Sequence, residues 1–248
     1  MKNSDEEESK TEKVLELIGS LNNIINLDLI SKEIDKKREL TDYILLPETK
    51  NHPAIIIDQN ISYKNKKWAQ TNDLLRQEDA FMLSPGLFAE FLKLLKSEKE
   101  LYDGLGNLID EPKIKERILK EILGVRNPWR AEWLDHKYSG GNNKLAVTYH
   151  KFDSSGKLIQ VTEPLDKDTL IKNRDPGISL EDWINNQTNQ GLPKKTVNQS
   201  SLWYWPPTEN YVAGFFACAD WIYLNCFSDP NVSDLNLGAR SARLYQKK

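Results

Sequence analysis

Apolar residues recur along this 248-residue chain first at helical spacing and later in short strand-like runs. Val14, Leu15, Leu17, Ile18, Leu21, Ile24, Ile25, Leu27, Leu29 and Ile30 predict one or two amphipathic helices up to about Lys37. Their apolar face must dock on something, either the rest of this chain or another copy. Tyr43–Leu46 and Ala54–Asp58 read as short strands separated by Pro47 and Pro53, with Ile55-Ile56-Ile57 in the form of a buried strand. Lys64-Asn65-Lys66-Lys67 reads as a solvated turn before Trp68. Ser84-Pro85 predicts a helix start, because Ser caps and Pro at the first position gives up an N–H that has no partner there. Leu87, Phe88, Phe91, Leu92, Leu94 and Leu95 form its inner face, and it ends near the turn-rich Tyr102–Asn107.

A second helix is predicted from Pro112 to about Leu123, with Ile114, Ile118, Leu119, Ile122 and Leu123 inward. Val125–Asp135 is dense in aromatics and opposite charges and reads as a packed corner, with Arg130 pairing Glu132 or Asp135 around Trp129 and Trp133. Leu145–Phe152, the turn Asp153-Ser154-Ser155-Gly156 and Leu158–Val161 read as a β-hairpin. Ser179-Leu180-Glu181-Asp182 resembles a capping box opening a helix to about Gln190, where Gly191 suits a left-handed C-cap and Pro193 blocks continuation. Helices, then a hairpin, a helix and several short strands make an α+β order.

The carboxyl-terminal pattern is different. Between Asn210 and Ala239 there is no Lys, Arg, Glu, Gln or Met. At the chain's overall 29% charged residues, about eight charges belong in such a stretch; it has three, Asp220, Asp229 and Asp234. A buried central strand accounts for Val212–Phe215 and Ile222–Leu224. It does not account for Ser228-Asp229-Pro230-Asn231-Val232-Ser233-Asp234, since buried Asn and Asp need partners and strand interiors reject Pro. Tyr, Phe and Trp among Ser, Asn and Gly have the composition of a binding surface, with large rigid contact area beside adaptable hydrogen-bonding groups.

A net charge of −3 and a sequence pI of about 5.8 give no reason to expect a nucleic-acid partner. No apolar run is long enough for a membrane span. The polar, acidic first twelve residues, expected to be disordered, contain no apolar signal region. A cytoplasmic protein is the expectation, with surface display by another route left open. Cys218 and Cys226 are too few for a disulfide scaffold and are expected to be reduced. His52, His136 and His150 share no ligand spacing with either cysteine, so no zinc site is expected. Asp229, Asn231, Ser233 and Asp234 offer oxygens for calcium only weakly. The glycines of Gly104-Leu105-Gly106 lack the strand–helix context of a phosphate loop, and no nucleophile elbow or zincin helix is present.

Taken together, Asn127-Pro128-Trp129-Arg130-Ala131-Glu132-Trp133-Leu134-Asp135, Glu181-Asp182-Trp183, Gln190-Gly191-Leu192-Pro193, Val212-Ala213-Gly214-Phe215, Leu224-Asn225-Cys226 and Leu237-Gly238-Ala239-Arg240 resemble a known family. It is that of the archaeal variable proteins of diversity-generating retroelements. The resemblance covers roughly residue 80 to the end. It implies a C-type lectin-like fold of the formylglycine-generating-enzyme type over residues 80–248, preceded by a helical and short-strand extension over 1–79. In that fold a closing Gly-x-Arg follows the variable region, here about 211–236; Ala239 stands where Val or Phe is expected. Such retroelements rewrite template adenines, so that Asn codons yield many residues but never Lys, Glu, Gln, Met or Trp. Trp221 then requires an Arg AGG codon, which gives Trp, Gly or Arg when its adenine changes.

The resemblance implies a non-enzymatic protein without cofactor or metal that binds a macromolecular ligand, expected to be a protein. Its oligomeric state is left open. The implied variable, ligand-binding positions are Phe216, Cys218, Asp220, Trp221, Tyr223, Asn225, Phe227, Ser228, Asp229, Val232, Asp234 and Leu235. They alternate with Phe215, Ala217, Ile222, Leu224 and Cys226 as scaffold, and period-two alternation sends the two sets to opposite faces of a strand. Two other functions stay open. One is a formylglycine-generating-type oxidase using Cys218 and Cys226. The other is a calcium-dependent glycan-binding lectin, although the Glu-Pro-Asn and Trp-Asn-Asp signatures of that group are missing.

Overall fold

The apolar run Ile55-Ile56-Ile57 forms a buried strand, and its neighbour in space is the far end of the chain. Ile57 lies opposite Ala242, Ile56 opposite Arg243 and Ile55 opposite Leu244 in an antiparallel pair. The computed structural model describes residues 40–140 and 144–246. The helices expected over 14–37 and the tail expected over 1–12 lie outside the described residues. The elements in chain order are β1 (Tyr43–Leu46), β2 (Ile55–Asp58), α1 (Trp68–Gln77), β3 (Phe81–Met82), α2 (Pro85–Lys96), α3 (Ile114–Leu123), β4 (Arg130–Ser139) and β5 (Ala146–Phe152). There follow β6 (Leu158–Pro164), α4 (Leu180–Asn185), β7 (Trp203–Trp205), β8 (Val212–Ala217), β9 (Ile222–Ser228), β10 (Leu237–Gly238) and β11 (Ser241–Leu244). Among the described residues this is a mixed α+β chain in which sheet predominates.

The described residues from Tyr43 onward fall in one compact unit, which takes in part of the segment expected to be an extension. The cause is long-range pairing. The smaller sheet has the order β1-β2-β11-β3, Ser62 bridges to Ala239, and Trp68 and Leu75 of α1 are buried. Through these contacts residues 43–79 pack with the end of the chain.

The larger sheet has the order β6-β5-β4-β8-β9-β7, with β10 parallel to the start of β4. Its two faces are covered differently. On one face Phe215 of β8 meets Phe88 of α2, with ring centroids 5.0 Å apart, and stacks on Trp183 of α4 at 6.3 Å. Leu134, Leu224, Cys226 and Tyr204 bury in the same cluster. Each such fully buried side chain stabilises the fold by about 1.5–3 kcal/mol. The other cluster joins Trp68 and Leu75 of α1 to Met82, Ala131, Trp133, Val212, Leu237 and Ala239, with Phe216 and Trp129 at its margin.

Local signals explain most element ends. Ser84 Oγ accepts from the Leu87 N–H at 3.3 Å. The α2 helix stops at Lys96, short of Tyr102, because Ser97 turns extended and its hydroxyl donates to the Leu94 carbonyl at 2.7 Å. Ser179 Oγ accepts from the Asp182 N–H at 3.1 Å. The Asp182 carboxylate does not reach back; it accepts from the Asn198 N–H at 2.9 Å. The α4 helix ends at Asn185, well before Gln190. Gly191 is left-handed, with φ of 79°, but it closes a separate turn in which its N–H donates to the Thr188 carbonyl. The expected corner at 125–135 is corrected in part, since Arg130–Asp135 belongs to the long strand β4. No helix among the described residues is long and apolar enough to cross a membrane.

Candidate functional site

Two adjacent antiparallel strands carry the alternation of the carboxyl-terminal region. Phe216 lies opposite Tyr223 and Phe215 opposite Leu224. The hairpin closes on Cys218, whose N–H donates to the Trp221 carbonyl at 2.9 Å, leaving Ala219 and Asp220 at the tip. Phe215, Ala217, Leu224 and Cys226 are fully buried, and Ile222 is half-buried against the same cluster. On the other face Phe216, Tyr223 and Asn225 are half-buried, while Trp221 is 43% and Phe227 41% exposed.

The outward rings lie against one another rather than singly. Trp129 stacks on Phe216 at 6.1 Å, and Phe216 stacks on Tyr223 at 5.0 Å with an interplanar angle of 6°. Trp203 of β7, in register with Tyr223, meets Trp221 edge-on at 4.4 Å. Tyr211 and Phe227 approach to 4.0 Å, and Trp205 is exposed. Gly214 makes this possible: a Cβ there would stand 2.8 Å from the Phe216 ring. Trp203 and Trp205 precede the expected variable region but share its surface. Their signal was the Trp-Tyr-Trp alternation, in which Tyr204 alone points inward and donates to the Leu170 carbonyl at 2.9 Å.

The loop after β9 continues the exposed area. Asp229 and Val232 are exposed, Leu235 is 72% exposed and Asp234 is half-buried. The carboxylates fold back on their own backbone, Asp229 accepting from the Asn231 N–H at 2.9 Å and Asp234 from the Asn236 N–H at 2.8 Å. The loop is pinned by Asn65, whose N–H donates to the Asp234 carbonyl, and by Trp68, whose N–H donates to the Pro230 carbonyl. No cluster of three or more metal-ligating side chains occurs among the described residues. Cys218 and Asp220 border the tip, half-buried and exposed respectively. Ser228 is the exception among the expected surface positions. It is buried because it continues the inward set of Leu224 and Cys226, and its hydroxyl has no hydrogen-bond partner among the described residues.

A buried ion network holds the end of the chain behind this surface. Arg240 donates to both Glu132 oxygens, at 3.0 and 3.2 Å, and to Glu121 at 2.9 Å. It also donates to the carbonyls of Asp58 and Gln59 and lies over the Phe91 ring. Arg130 pairs with Glu121 at 2.7 Å and with Glu132. Burial alone would raise the Glu132 carboxyl, but the two guanidinium groups hold it below the usual range. Gly238 has no room for a Cβ against the Ser62 carbonyl, so Gly-x-Arg has a steric and an electrostatic reason here. Asp135 does not join Arg130. It accepts from the His150 N–H at 2.7 Å and pairs with the His150 ring at 2.9 Å.

His52 and His150 line one cleft, and His136 is not among its lining residues. His52 contacts Glu90 at 2.9 Å. His136 is fully buried, and desolvation pushes its pKa down to about 3. His150 is raised by its bond to Asp135. Both cysteines are free thiols. Cys226 lies on the inward set and burial pushes it up to about 12. Cys218 lies on the outward parity, where its thiol donates to the Trp221 carbonyl at 3.4 Å. The two sulfurs therefore fall on opposite parities of the strand pair, and burial keeps the Cys226 thiol protonated. Comparison of the chain with family models, with curated proteins and with solved structures gives no match.

Proposed function

We propose that this protein is a ligand-binding display protein whose carboxyl-terminal surface is diversified by a retroelement. On this reading the domain is a C-type lectin-like fold of the formylglycine-generating-enzyme type, used without its chemistry. One observation carries the proposal. Every position assigned to the variable set except Ser228 reaches solvent, and the intervening Phe215, Ala217, Leu224 and Cys226 do not. Diversification needs such a division, because random replacement of a core side chain costs about 2–5 kcal/mol whereas exposed positions change stability by about 0.5 kcal/mol or less. The ligand is proposed to be a protein, met by exposed aromatic anchors of the kind that dominate protein interfaces.

The test lies in the DNA beside the gene. The reading expects a reverse transcriptase gene and a near-identical copy of the 211–236 coding segment carrying adenines at the variable codons. Absence of both removes the proposal.

A further inference from the structure

We propose that the tip end of this surface, formed by Trp203, Trp221, Tyr223 and Asp220, receives an arginine side chain of the partner protein. The inference rests on the reading of this face as a binding surface and names the chemistry it selects. From Thr196 to Ala239, which includes all of β7, β8 and β9, the chain holds four carboxylates, Glu209, Asp220, Asp229 and Asp234, and no Lys or Arg. Asp229 and Asp234 each accept from their own loop's backbone. Asp220 is exposed at the tip and has no hydrogen bond or ion pair among the described residues. Beside it, the Trp221 indole is 43% exposed and held edge-on to Trp203 at 4.4 Å.

The nearest backbone neighbour that could supply a cation is Arg126, whose N–H donates to the Cys218 carbonyl. Its guanidinium is already engaged by the carbonyls of Lys120, Glu121 and Gly124, closing the end of α3. Lys64, Lys66 and Lys67 stand at the other end of the surface, where their segment pins the 229–236 loop. The tip therefore presents an exposed indole and, next to it in sequence, an exposed carboxylate that no Lys or Arg among the described residues pairs with. Negative ring faces attract cations, and arginine is favoured over lysine because its planar group stacks on a ring while pairing with a carboxylate.

The experiment uses the full chain and a capped, fluorescein-labelled tetra-arginine peptide, with tetra-serine and tetra-glutamate peptides as comparators, read by fluorescence anisotropy at fixed ionic strength. Tetra-arginine is expected to bind tightest. Asp220→Asn and Trp221→Ala should each weaken it on the order of threefold with thermal unfolding unchanged, and Glu48→Gln, an exposed carboxylate between β1 and β2, should leave it unchanged. Equal weakening by Glu48→Gln, or unchanged binding in both tip variants, overturns the proposal. Equal binding of tetra-serine that is lost in Trp221→Ala overturns the arginine assignment while leaving the face a binding surface. Whether that face is diversified is decided separately, by the DNA.

Discussion

Arg240 and Glu132 are 108 positions apart in sequence and meet through two hydrogen bonds, at 3.0 and 3.2 Å, with both side chains out of solvent. The pair joins the closing segment to β4, and through Glu121 it reaches α3. Removing Arg240 strips Glu132 of one of its two buried guanidinium partners, leaving Arg130 alone beside it, and also takes the Arg240 contact from Glu121. Arg240→Met is therefore expected to destabilise the fold by about 3–5 kcal/mol, measured by urea unfolding. Arg240→Lys should fall between the two, since one ammonium cannot reproduce the bidentate contact. Equal stability of wild type and Arg240→Met would show that the network does not hold the chain end.

Gly191 and Gly86 pack backbone to backbone. A Cβ on Gly191 would collide with the Gly86 N and Cα, and Gly191 also has φ of 79°. Its carbonyl accepts from the Trp183 indole at 2.9 Å, which ties the contact to the core under the sheet. Gly191→Ala should destabilise by at least about 2 kcal/mol in the same unfolding assay. Gly156→Ala, left-handed as well but only in ordinary contact with Pro53, should be milder.

His136 predicts acid sensitivity. Its folded pKa of about 3 lies below the unfolded value of 6.5, so its contribution is complete above pH 6.5 and is lost as pH falls from there toward 3. The slope in that window is about 1.4 kcal/mol per pH unit. His150 and His52 act with the opposite sign. Both are raised, so their contribution is complete below pH 6.5 and is lost as pH rises through their folded values. His136→Phe should accordingly flatten the loss of stability between pH 6 and pH 4 as followed by urea midpoints. An unchanged slope would place the acid sensitivity elsewhere.

The division between inward and outward residues has a direct stability signature. Leu224→Ala should cost about 2–5 kcal/mol, because Leu224 is fully buried between the sheet and its helices. Leu235→Ser and Phe227→Ser should each stay within about 0.5 kcal/mol, as their side chains are 72% and 41% exposed. Thermal unfolding of the three variants checks the contrast, and comparable losses would deny that the outward positions are free to vary.

What the sequence showed depended on whether the deciding interaction was local. The caps Ser84 and Ser179, the 146–164 hairpin and the alternation through Phe215–Phe216 and Tyr223–Leu224 follow from neighbouring residues, and they are where the pattern put them. The α1 helix was hidden because only Trp68, Thr71 and Leu75 of its ten residues are buried, too few for a clear stripe. The β4 strand was hidden because it buries Arg130, Glu132, Asp135 and His136, residue types that belong on a surface until partners more distant in sequence are known. Those partners, Glu121, His150 and Arg240, are set by the tertiary fold. The same holds for β2 and β11, whose pairing brings residues before position 80 into one sheet with the end of the chain. Ser228 was misplaced by extending the surface set past the alternation that its own strand maintains.

Sequencing this locus across a natural population tests the central claim most directly. The account predicts replacements concentrated at Phe216, Tyr223, Asn225, Phe227, Val232 and Leu235, drawn from residues reachable by adenine changes, with Phe215, Ala217, Leu224, Cys226, Gly238 and Arg240 constant. Replacements spread equally over inward and outward positions, or a region as invariant as the rest of the gene, would contradict it.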